Sequence, residues 1–311
     1  MIMSYNSLVV LGPTASGKTR LACHLAYHLE GEIISADSRQ VYKDMNIGTG
    51  KDLHEYRVNN QNIAVHLINL CEPAQQFYLH QFIEHLHQTS EQLHAQHKLP
   101  IICGGSGLYL DALRKDFSYT QIPEDPQLRE KLQTNSTEDL LQLLNAYPAS
   151  TTQQVDRHSR KRLIRGIEIA EFFKQGNQLQ VAPQLNLKPL YIGLNPEMEL
   201  RQQRIAARLA QRLNEGLVQE VEGLLAKGIS HQRLQTLGLE YKYLSRYLLK
   251  ELSFDQMHEQ LRTAIFQFAK RQMTWFRKME KEGVKIHWVP QNVSPEEVMA
   301  LLPIHELRIW S

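Results

Sequence analysis

The sequence predicts an α/β fold in which a parallel sheet is flanked by helices and interrupted by an all-helical insertion. Short apolar runs typical of buried strands recur at 8–11, 32–35, 63–68, 100–103 and 190–194. Apolar side chains at helical spacing fill two of the intervals, over 18–29 and 77–97. Strands that alternate with helices form doubly wound parallel sheets, so these two observations indicate the fold class.

The insertion is predicted where the strands stop. Between residues 122 and 189 the sequence has helical stretches at 125–133, 137–144 and 159–173 and no strand-like run. Long helical segments follow at 197–215, 217–227, 239–249 and 254–281, then a candidate edge strand at 284–289 and a last helix at 295–302. We therefore expect a first core part at 1–121, a helical insertion at 122–189, and a second, mostly helical core part at 190–311.

Composition excludes several classes of protein. The 311 residues are 42% hydrophobic and 22% charged, which is typical of globular proteins and rules out wholesale disorder. No run approaches the 18 apolar residues of a membrane span, and Gly12 and Pro13 cut the first apolar run too early for a signal peptide. We expect a cytoplasmic protein without membrane association, and the sequence reveals no obligate protein partner. The three cysteines lack the spacing of a disulfide framework or a zinc site.

Positive charge is concentrated rather than general. The formal net charge is only +2, from 35 lysines and arginines against 33 acids. Two segments are nonetheless strongly basic: 157–165, with the sequence RHSRKRLIR, and 270–281, with the sequence KRQMTWFRKMEK around Trp275 and Phe276. Such patches on a near-neutral chain indicate a local surface for a polyanion, and two solvated helix faces are the alternative.

A complete phosphate-binding motif follows the first strand and precedes the first helix. It comprises Gly12, Pro13, Thr14, Ala15, Ser16, Gly17, Lys18 and Thr19. In this context the backbone N–H groups surround an anion, Lys18 adds positive charge, and the Thr19 hydroxyl suits Mg²⁺. The motif predicts a P-loop NTPase-like core that binds a di- or triphosphate, such as a nucleotide. It leaves open which one is bound and whether a phosphoryl group moves.

Two further segments end at the same edge of the predicted sheet. Asp37 follows the second strand, where ligands of open parallel sheets bind, and it is a candidate helix N-cap, magnesium ligand or general base. The fourth strand ends in the glycine-rich segment 104–107 instead of the acid that ATPases use to hold Mg²⁺. This weakens a motor or hydrolase interpretation, and the Ser106 hydroxyl is able to position a ligand there.

In order along the chain, GPTASGKT, SADSRQVY with NIGT, GGSGLYLDAL, KRLIRGIEI, GLVQEV and AKRQMTWFRK resemble bacterial tRNA dimethylallyltransferases. The similarity runs from about residue 8 to residue 277. It implies transfer of a dimethylallyl group from dimethylallyl diphosphate to the exocyclic amine of the adenine immediately 3′ of the anticodon, with Mg²⁺. The chain has Ser106 where the family usually has threonine, and GTGKDLHEY where it commonly shows GTAKP, which leaves the role of Lys51 open.

The resemblance assigns roles to individual residues. It implies that Asp37 is the base, with Ser106 and Lys18 also catalytic, and that Thr19 binds the metal. The P-loop would hold the diphosphate leaving group together with Arg204 and Arg208. The tRNA-contacting positions would be Asp37, Ser38, Arg39, Gln40, Ser106, Arg129, Lys161, Arg162, Leu163, Ile164, Arg165, Lys270 and Arg271. Trp275 and Arg277 would line the RNA path, although Trp275 is equally suited to the core.

Two other functions use the same anion loop. A P-loop kinase of small molecules, or an isopentenyltransferase that acts on free adenine nucleotides, would need neither the basic insertion nor the second basic helix. A nucleotide-switched RNA-binding module without group transfer would be expected to show a strand-end acid or a base-recognition motif, and the sequence contains neither. The basic segments therefore favour the tRNA-modifying enzyme.

Overall fold

The computed structural model describes residues 5–153, 155–179, 185–290, 293–301 and 307. The described residues fall into two compact units, one made of 5–77, 81–115 and the residues from 185 onward, the other of 78–80 and 116–179. No helix in these ranges is long and apolar enough to cross a membrane. The strands, in chain order, are β1 (Ser7–Leu11), β2 (Gly31–Ala36), β3 (Arg57–Val58), β4 (Gln61–Asn62), β5 (Val65–His66), β6 (Leu99–Gly104), β7 (Pro189–Leu194) and β8 (Ile286–Val289).

Six of these strands form one parallel sheet in the order β5-β2-β6-β1-β7-β8. The predicted α/β class and its parallel sheet are confirmed. β1 lies inside the sheet and is buried throughout, because parallel strands are covered on both faces. The order places the ends of β1, β2 and β6 side by side, so the three segments that follow them meet at one edge.

The third strand is shorter than its apolar run suggests. The sequence predicts a strand over 63–68, whereas only Val65–His66 pairs with β2, at the edge of the sheet. The residues just before it form the β3–β4 hairpin, in which Asn59 and Asn60 adopt positive φ angles of 48° and 64°. Asparagine tolerates this conformation, so the tight turn diverts the chain and leaves only two residues for the sheet. The edge strand predicted at 284–289 is present as β8, paired with β7.

The α-helices agree with the predicted segments, with three additions. They are α1 (Lys18–His28), α2 (Leu79–Ala95), α3 (Gly107–Asp111), α4 (Pro126–Gln133), α5 (Thr137–Asn145), α6 (Ala149–Thr152), α7 (Arg160–Lys174), α8 (Met198–Asn214), α9 (Leu217–Ala226), α10 (His231–Leu237), α11 (Leu239–Leu248), α12 (Phe254–Lys281) and α13 (Pro295–Leu301). Short 3₁₀ helices cover Leu53–Tyr56 and Ser118–Gln121. The additions that matter to function are α3, which opens directly on the glycine segment, and α10, which precedes Gly238.

Each unit has its own apolar core. α1 packs on the sheet against β1, β2 and β6 through buried residues such as Leu8, Leu25 and Ile33. A second cluster in the same unit joins α8, α9, α10, α11 and α12 around Tyr241. The helical unit has a separate cluster that contains Leu140, Leu144 and Leu163. The three cysteines are free and buried, in line with the apolar role expected of them.

Candidate active site

A cavity of about 1290 Å³ opens at the carboxyl ends of β1, β2 and β6, within the α/β unit. This is where open parallel sheets bind their ligands. Its walls bring together the sequence-predicted residues Thr14, Ala15, Ser16, Gly17, Lys18, Thr19, Asp37, Ser38, Arg39, Gln40, Ser106, Arg204, Arg208, Arg271 and Trp275. Its volume exceeds that of most drug-sized ligand pockets, so two substrates can meet in it.

The P-loop supplies positive charge and hydroxyl groups to the cavity floor. Burial lowers the pKa of the Lys18 ammonium, and Asp37 and Glu55 partly offset this effect. A bound anion would favour the charged form of Lys18 for the same electrostatic reason. The Ser16 hydroxyl is buried and has no hydrogen-bond partner among the described residues. The loop therefore holds polar groups whose partners are incomplete without a ligand.

Asp37 directly follows β2, and the chain after it forms a turn and not a helix. Its Oδ1 accepts a hydrogen bond of 2.8 Å from the backbone N–H of Arg39, which makes a local side-chain turn. The alternative that Asp37 caps a helix is therefore wrong, because residues 38–41 form turns. The neighbouring Ser38 N–H donates to the Ser106 hydroxyl over 3.2 Å. This bond ties the segment after β2 to the glycine segment after β6.

Two glutamine side chains hold these segments in place. The Gln40 amide is buried, accepts from the Ser35 hydroxyl over 2.8 Å and donates to the Gly50 carbonyl over 2.9 Å. Gln272 on α12 accepts from the backbone N–H of Thr14 over 2.8 Å and donates to the Gly105 carbonyl over 2.9 Å. A Cβ at Gly105 would lie 2.4 Å from Gln272 Nε2, so glycine allows this approach. Gln272 therefore connects the P-loop, the glycine segment and α12.

Three arginines of α8 line the cavity one helical turn apart. Arg204 and Arg208 are the predicted pair, and Arg212 is a third. Residues at positions i, i+4 and i+8 share a helix face, so all three point to the same side. Arg208 Nη1 lies 3.5 Å from Thr14 Oγ1 of the P-loop, and its Nη2 donates to Asp52 over 2.7 Å. α8 thus adds a second source of positive charge beside the loop.

Sequence reasoning missed several residues of this region. Glu55 lines the cavity, and burial followed by the charge of Asp52 raises its pKa. Glu220, in the GLVQEV motif, accepts hydrogen bonds from the backbone N–H groups of Asn46, Ile47 and Gly48 over 2.7, 2.7 and 3.0 Å. It connects two motifs more than 170 residues apart in sequence. No spacing rule relates the NIGT and GLVQEV segments, so no local pattern in the sequence predicts this contact.

Lys51, whose role the sequence leaves open, is a structural cation. Its side chain is buried and donates to the Tyr42 carbonyl over 2.6 Å and to Asn46 Oδ1 over 3.0 Å, and it also bonds Asn69. All three acceptors are uncharged, and burial lowers the Lys51 pKa to about 8. The ammonium fastens the loop 41–51, whose end carries Gly50 and Asp52 to the arginines of α8.

The basic side chains of α12 divide between cavity and surface. Arg271 is exposed at the cavity wall, and its guanidinium lies 6.0 Å from the ring centre of Phe268. Lys270 is exposed, with its ammonium 4.7 Å from the ring centre of Phe266. Trp275 lines the cavity, packs over Gly107 and donates to Asp111 over 3.1 Å. α12 therefore presents both charge and an aromatic wall beside the glycine segment.

Comparison with known proteins assigns this arrangement to a family. The model of a family described as IPP transferase matches residues 40–279. The chain is 44% identical over 301 residues to tRNA dimethylallyltransferase 1 of Parabacteroides distasonis, which covers 96% of both chains. It is 46% identical over 303 residues to tRNA dimethylallyltransferase 2 of Phocaeicola vulgatus, covering 96% of this chain and 98% of that protein. The chain belongs to the IPP transferase family.

Solved structures agree with this assignment, and the resemblance seen in the sequence is confirmed. The tRNA isopentenylpyrophosphate transferase of Bacillus halodurans superimposes with a TM-score of 0.68 at 28% identity, covering 95% of this chain and 94% of that one. A eukaryotic dimethylallyltransferase acting on tRNA gives a TM-score of 0.72 at 23% identity, covering 92% and 74%. That likeness supports the P-loop NTPase-like fold of the IPP transferase.

The helical unit of this IPP transferase uses much of its positive charge internally. Arg129 donates from Nε and Nη2 to the two carboxylate oxygens of Glu168 over 2.7 and 2.9 Å. Arg165 lies 3.3 Å from Glu168 Oε2 and donates over 2.6 Å to the Ile122 carbonyl. Arg160, in the same basic run, donates to backbone carbonyls of residues 132, 133 and 135. Arg160 and Arg165 of the basic segment 157–165 therefore stabilise the helical unit itself.

The remaining residues of the run differ in exposure. Lys161 and Arg162 are exposed, and Arg162 pairs with Asp156 over 2.5 Å at the surface. Lys161 also lines a depression of about 410 Å³ with Arg129. Leu163 is fully buried in the core of the unit and Ile164 packs against the same cluster. The prediction that the Leu163 side chain contacts tRNA is not supported by this burial.

Proposed function

We propose that the chain transfers a dimethylallyl group from dimethylallyl diphosphate to the exocyclic amine of the adenine immediately 3′ of the anticodon in tRNA. The observation that carries this proposal is the shared cavity, in which a P-loop and the Asp37 carboxylate line one space of about 1290 Å³. The relatives named tRNA dimethylallyltransferase support the same activity.

In this proposal the P-loop holds the diphosphate as a leaving group. Loop N–H groups, the N-terminus of α1 and Lys18 stabilise the negative charge that develops as the carbon–oxygen bond to diphosphate breaks. Arg204 and Arg208 add charge from the other side of the cavity. No phosphoryl group moves, which agrees with the glycine segment that follows β6 in place of a strand-end acid.

Asp37 accepts the proton of the attacking amine. The new carbon–nitrogen bond forms at the carbon that loses diphosphate, and the amine nitrogen must then lose one proton. Asp37 lines the cavity and interacts electrostatically with Lys18, so its carboxylate and the anion site are neighbours. Ser106 and Ser38, which are hydrogen-bonded to each other, position the substrate base beside it.

The oxygen-rich donor set suits Mg²⁺. The Thr19 hydroxyl and the carboxylates of Asp37 and Glu55 line the same cavity as Lys18. Mg²⁺ in such sites is held by one or two protein oxygens together with substrate phosphates, and no cluster of three or more acids, histidines and cysteines occurs in the described ranges. Thr19 would hold the ion, which would supply charge neutralisation at the departing diphosphate.

The anticodon arm is the partner proposed for the exposed basic residues. Lys161 and Arg162 on α7, with Lys270 and Arg271 on α12, are exposed and suited to phosphate contacts. Arg129 and Arg165 shape the α7 surface through Glu168, and Gln40 shapes the Asp37 segment through Gly50. Ser38 and Arg39 remain candidates for direct contact at the cavity mouth. In this proposal the enzyme acts on tRNA in the cytoplasm.

Nucleoside mass spectrometry tests this function. Purified protein is incubated with Mg²⁺, dimethylallyl diphosphate and either unmodified tRNA or adenosine monophosphate. We expect a prenyl mass on the adenosine of tRNA and none on the free nucleotide. Modification of adenosine monophosphate with no modification of tRNA would favour the isopentenyltransferase of free nucleotides.

A further inference from the structure

Two arginines of the cavity share a single carboxylate. Arg208 Nη2 lies 2.7 Å and Arg212 Nη2 lies 3.7 Å from the same oxygen, Asp52 Oδ2. Both guanidinium groups close over Gly50, which has a φ of +63°. A Cβ at this position would lie 1.9 Å from Arg212 Nη2 and 2.2 Å from Arg208 Nη2, so the arrangement requires glycine. One negative charge therefore lies between two positive ones.

Arg208 stands between this carboxylate and the P-loop. Its Nη2 donates to Asp52 while its Nη1 lies 3.5 Å from the hydroxyl of Thr14. A diphosphate in the loop and the Asp52 carboxylate are both strong acceptors for a guanidinium. Both draw on the charge of one guanidinium, and the bond from its Nη2 to Asp52 restrains the movement of Arg208 toward the loop.

Arg212 has donors that are not in use. Its side chain is only 8% exposed, and its Nε and Nη2 have no hydrogen-bond partner among the described residues. A second carboxylate, Glu240, lies 3.6 Å from its Nη1. Burial, and then the charge of Arg208, lower the Arg212 pKa, so additional negative charge beside this side chain would be favourable. Arg212 can therefore take up the Asp52 carboxylate when Arg208 leaves it.

We propose that Asp52 and Arg212 are positioning residues that set diphosphate affinity by controlling how much of the Arg208 charge reaches the P-loop. In the absence of diphosphate, Asp52 holds Arg208. When diphosphate binds, Arg208 turns to it, and Asp52 transfers to the unused donors of Arg212. The inference rests on the proposed function, since it requires a diphosphate in the P-loop.

A double-mutant cycle on ligand affinity tests the exchange. Binding of dimethylallyl diphosphate with Mg²⁺ is measured by calorimetry for the wild type, Asp52→Asn, Arg212→Met and the double variant. Arg212→Met should weaken binding about tenfold, because Asp52 then pairs with Arg208 alone. Asp52→Asn should tighten binding several-fold. In the Asp52→Asn background the loss of Arg212 should cost less than about threefold, because no carboxylate is left to restrain Arg208.

The controls separate this role from a structural one. Asp44→Asn removes another carboxylate of the same region, exposed and paired with Lys227, and should leave affinity unchanged. Single-turnover transfer at saturating dimethylallyl diphosphate should stay within about twofold of the wild type in Asp52→Asn, so that KM changes and kcat does not. If Arg212→Met does not fold, Asp52→Asn alone decides, and unchanged or weaker binding overturns the inference.

Two outcomes distinguish a failure of this inference from a failure of the proposed function. An equal loss of affinity from Arg212→Met in both backgrounds would overturn the exchange while leaving the enzyme a prenyltransferase. A wild-type protein that does not bind dimethylallyl diphosphate would overturn the proposed function instead.

Discussion

Lys18 and Arg208 of the α/β unit face a cavity, whereas Arg129 and Arg165 of the helical unit donate into their own fold. In the cavity, Arg208 is 2.7 Å from Asp52 and still reaches toward the P-loop. In the helical unit, both oxygens of the Glu168 carboxylate are occupied by Arg129. A cation that lines a cavity is thus available to a ligand, while a cation that saturates a buried acid is part of the scaffold. Positive charge in a sequence therefore predicts a binding surface only after its internal partners are counted.

The largest expected effect concerns the cavity. Asp37→Ala should lower single-turnover prenyl transfer by about 10²–10⁴-fold, because it removes the proposed base. The affinity for tRNA should change little, since the contacts to the phosphate backbone remain. Quenched-flow measurement of the modified adenosine gives the rate. If the single-turnover rate of Asp37→Ala is within a few-fold of the wild-type rate, Asp37 is not the base and only forms the turn.

The next effect concerns the scaffold of the helical unit. Arg129→Met should lower the free energy of unfolding by about 2 kcal/mol, because it leaves the buried Glu168 with only Arg165 as a charged partner. Urea denaturation followed by circular dichroism measures this change. Arg162→Met, at an exposed position of the same unit, is the matched control and should have no measurable effect on stability. Equal stability of the two variants would contradict the distinction between cations that pair with a buried acid and cations at the surface.

The buried Lys51 ammonium, which donates to three uncharged acceptors, should make the free energy of unfolding depend on pH. The Lys51 pKa of about 8 lies below its ordinary value of 10.5, so the folded protein loses this proton first. Between these two values the unfolded chain binds more protons, and the free energy of unfolding should rise with pH. The rise should be on the order of 2 kcal/mol and should be absent from Lys51→Met. Urea titrations of both proteins at pH 7.5 and 9.5 measure it, and parallel pH profiles would contradict this environment.

The smallest effect concerns the exposed basic residues of α7. Lys161→Ala and Arg162→Ala should each weaken binding of an anticodon stem-loop and reduce the slope of log affinity against log salt by about one unit. Dimethylallyl diphosphate binding should be unaffected. Lys174→Ala, at the other end of α7, is the control and should leave the slope unchanged. Slopes equal to the wild type in all three variants would identify this run as a solvated helix face.

Local patterns allowed the sequence to predict the sheet, the P-loop and the position of Asp37 and Ser106 at the same edge of the sheet, where both line one cavity. Strand periodicity and the spacing of the P-loop motif depend on neighbouring residues only, and parallel topology then brings strand ends together. Contacts between distant residues could not be predicted in this way. Glu168 binds Arg129 across 39 residues, and Glu220 binds the loop at Asn46 across 174 residues. No periodicity encodes these pairs, so the internal use of charge emerged only from the fold. Arg212 is different, because it lies one helical turn after Arg208 and the helical spacing could have identified it.

The proposed function requires that the P-loop serve carbon transfer and not phosphoryl transfer. It is tested most directly by following inorganic diphosphate and prenylated adenosine in the same quenched samples of enzyme, tRNA, Mg²⁺ and dimethylallyl diphosphate, with γ-labelled ATP present in a parallel series. We expect one diphosphate to be released for each prenyl group added, and no label on any adenosine. Transfer of the γ-phosphate label to an adenosine substrate, with no prenylated product, would contradict it.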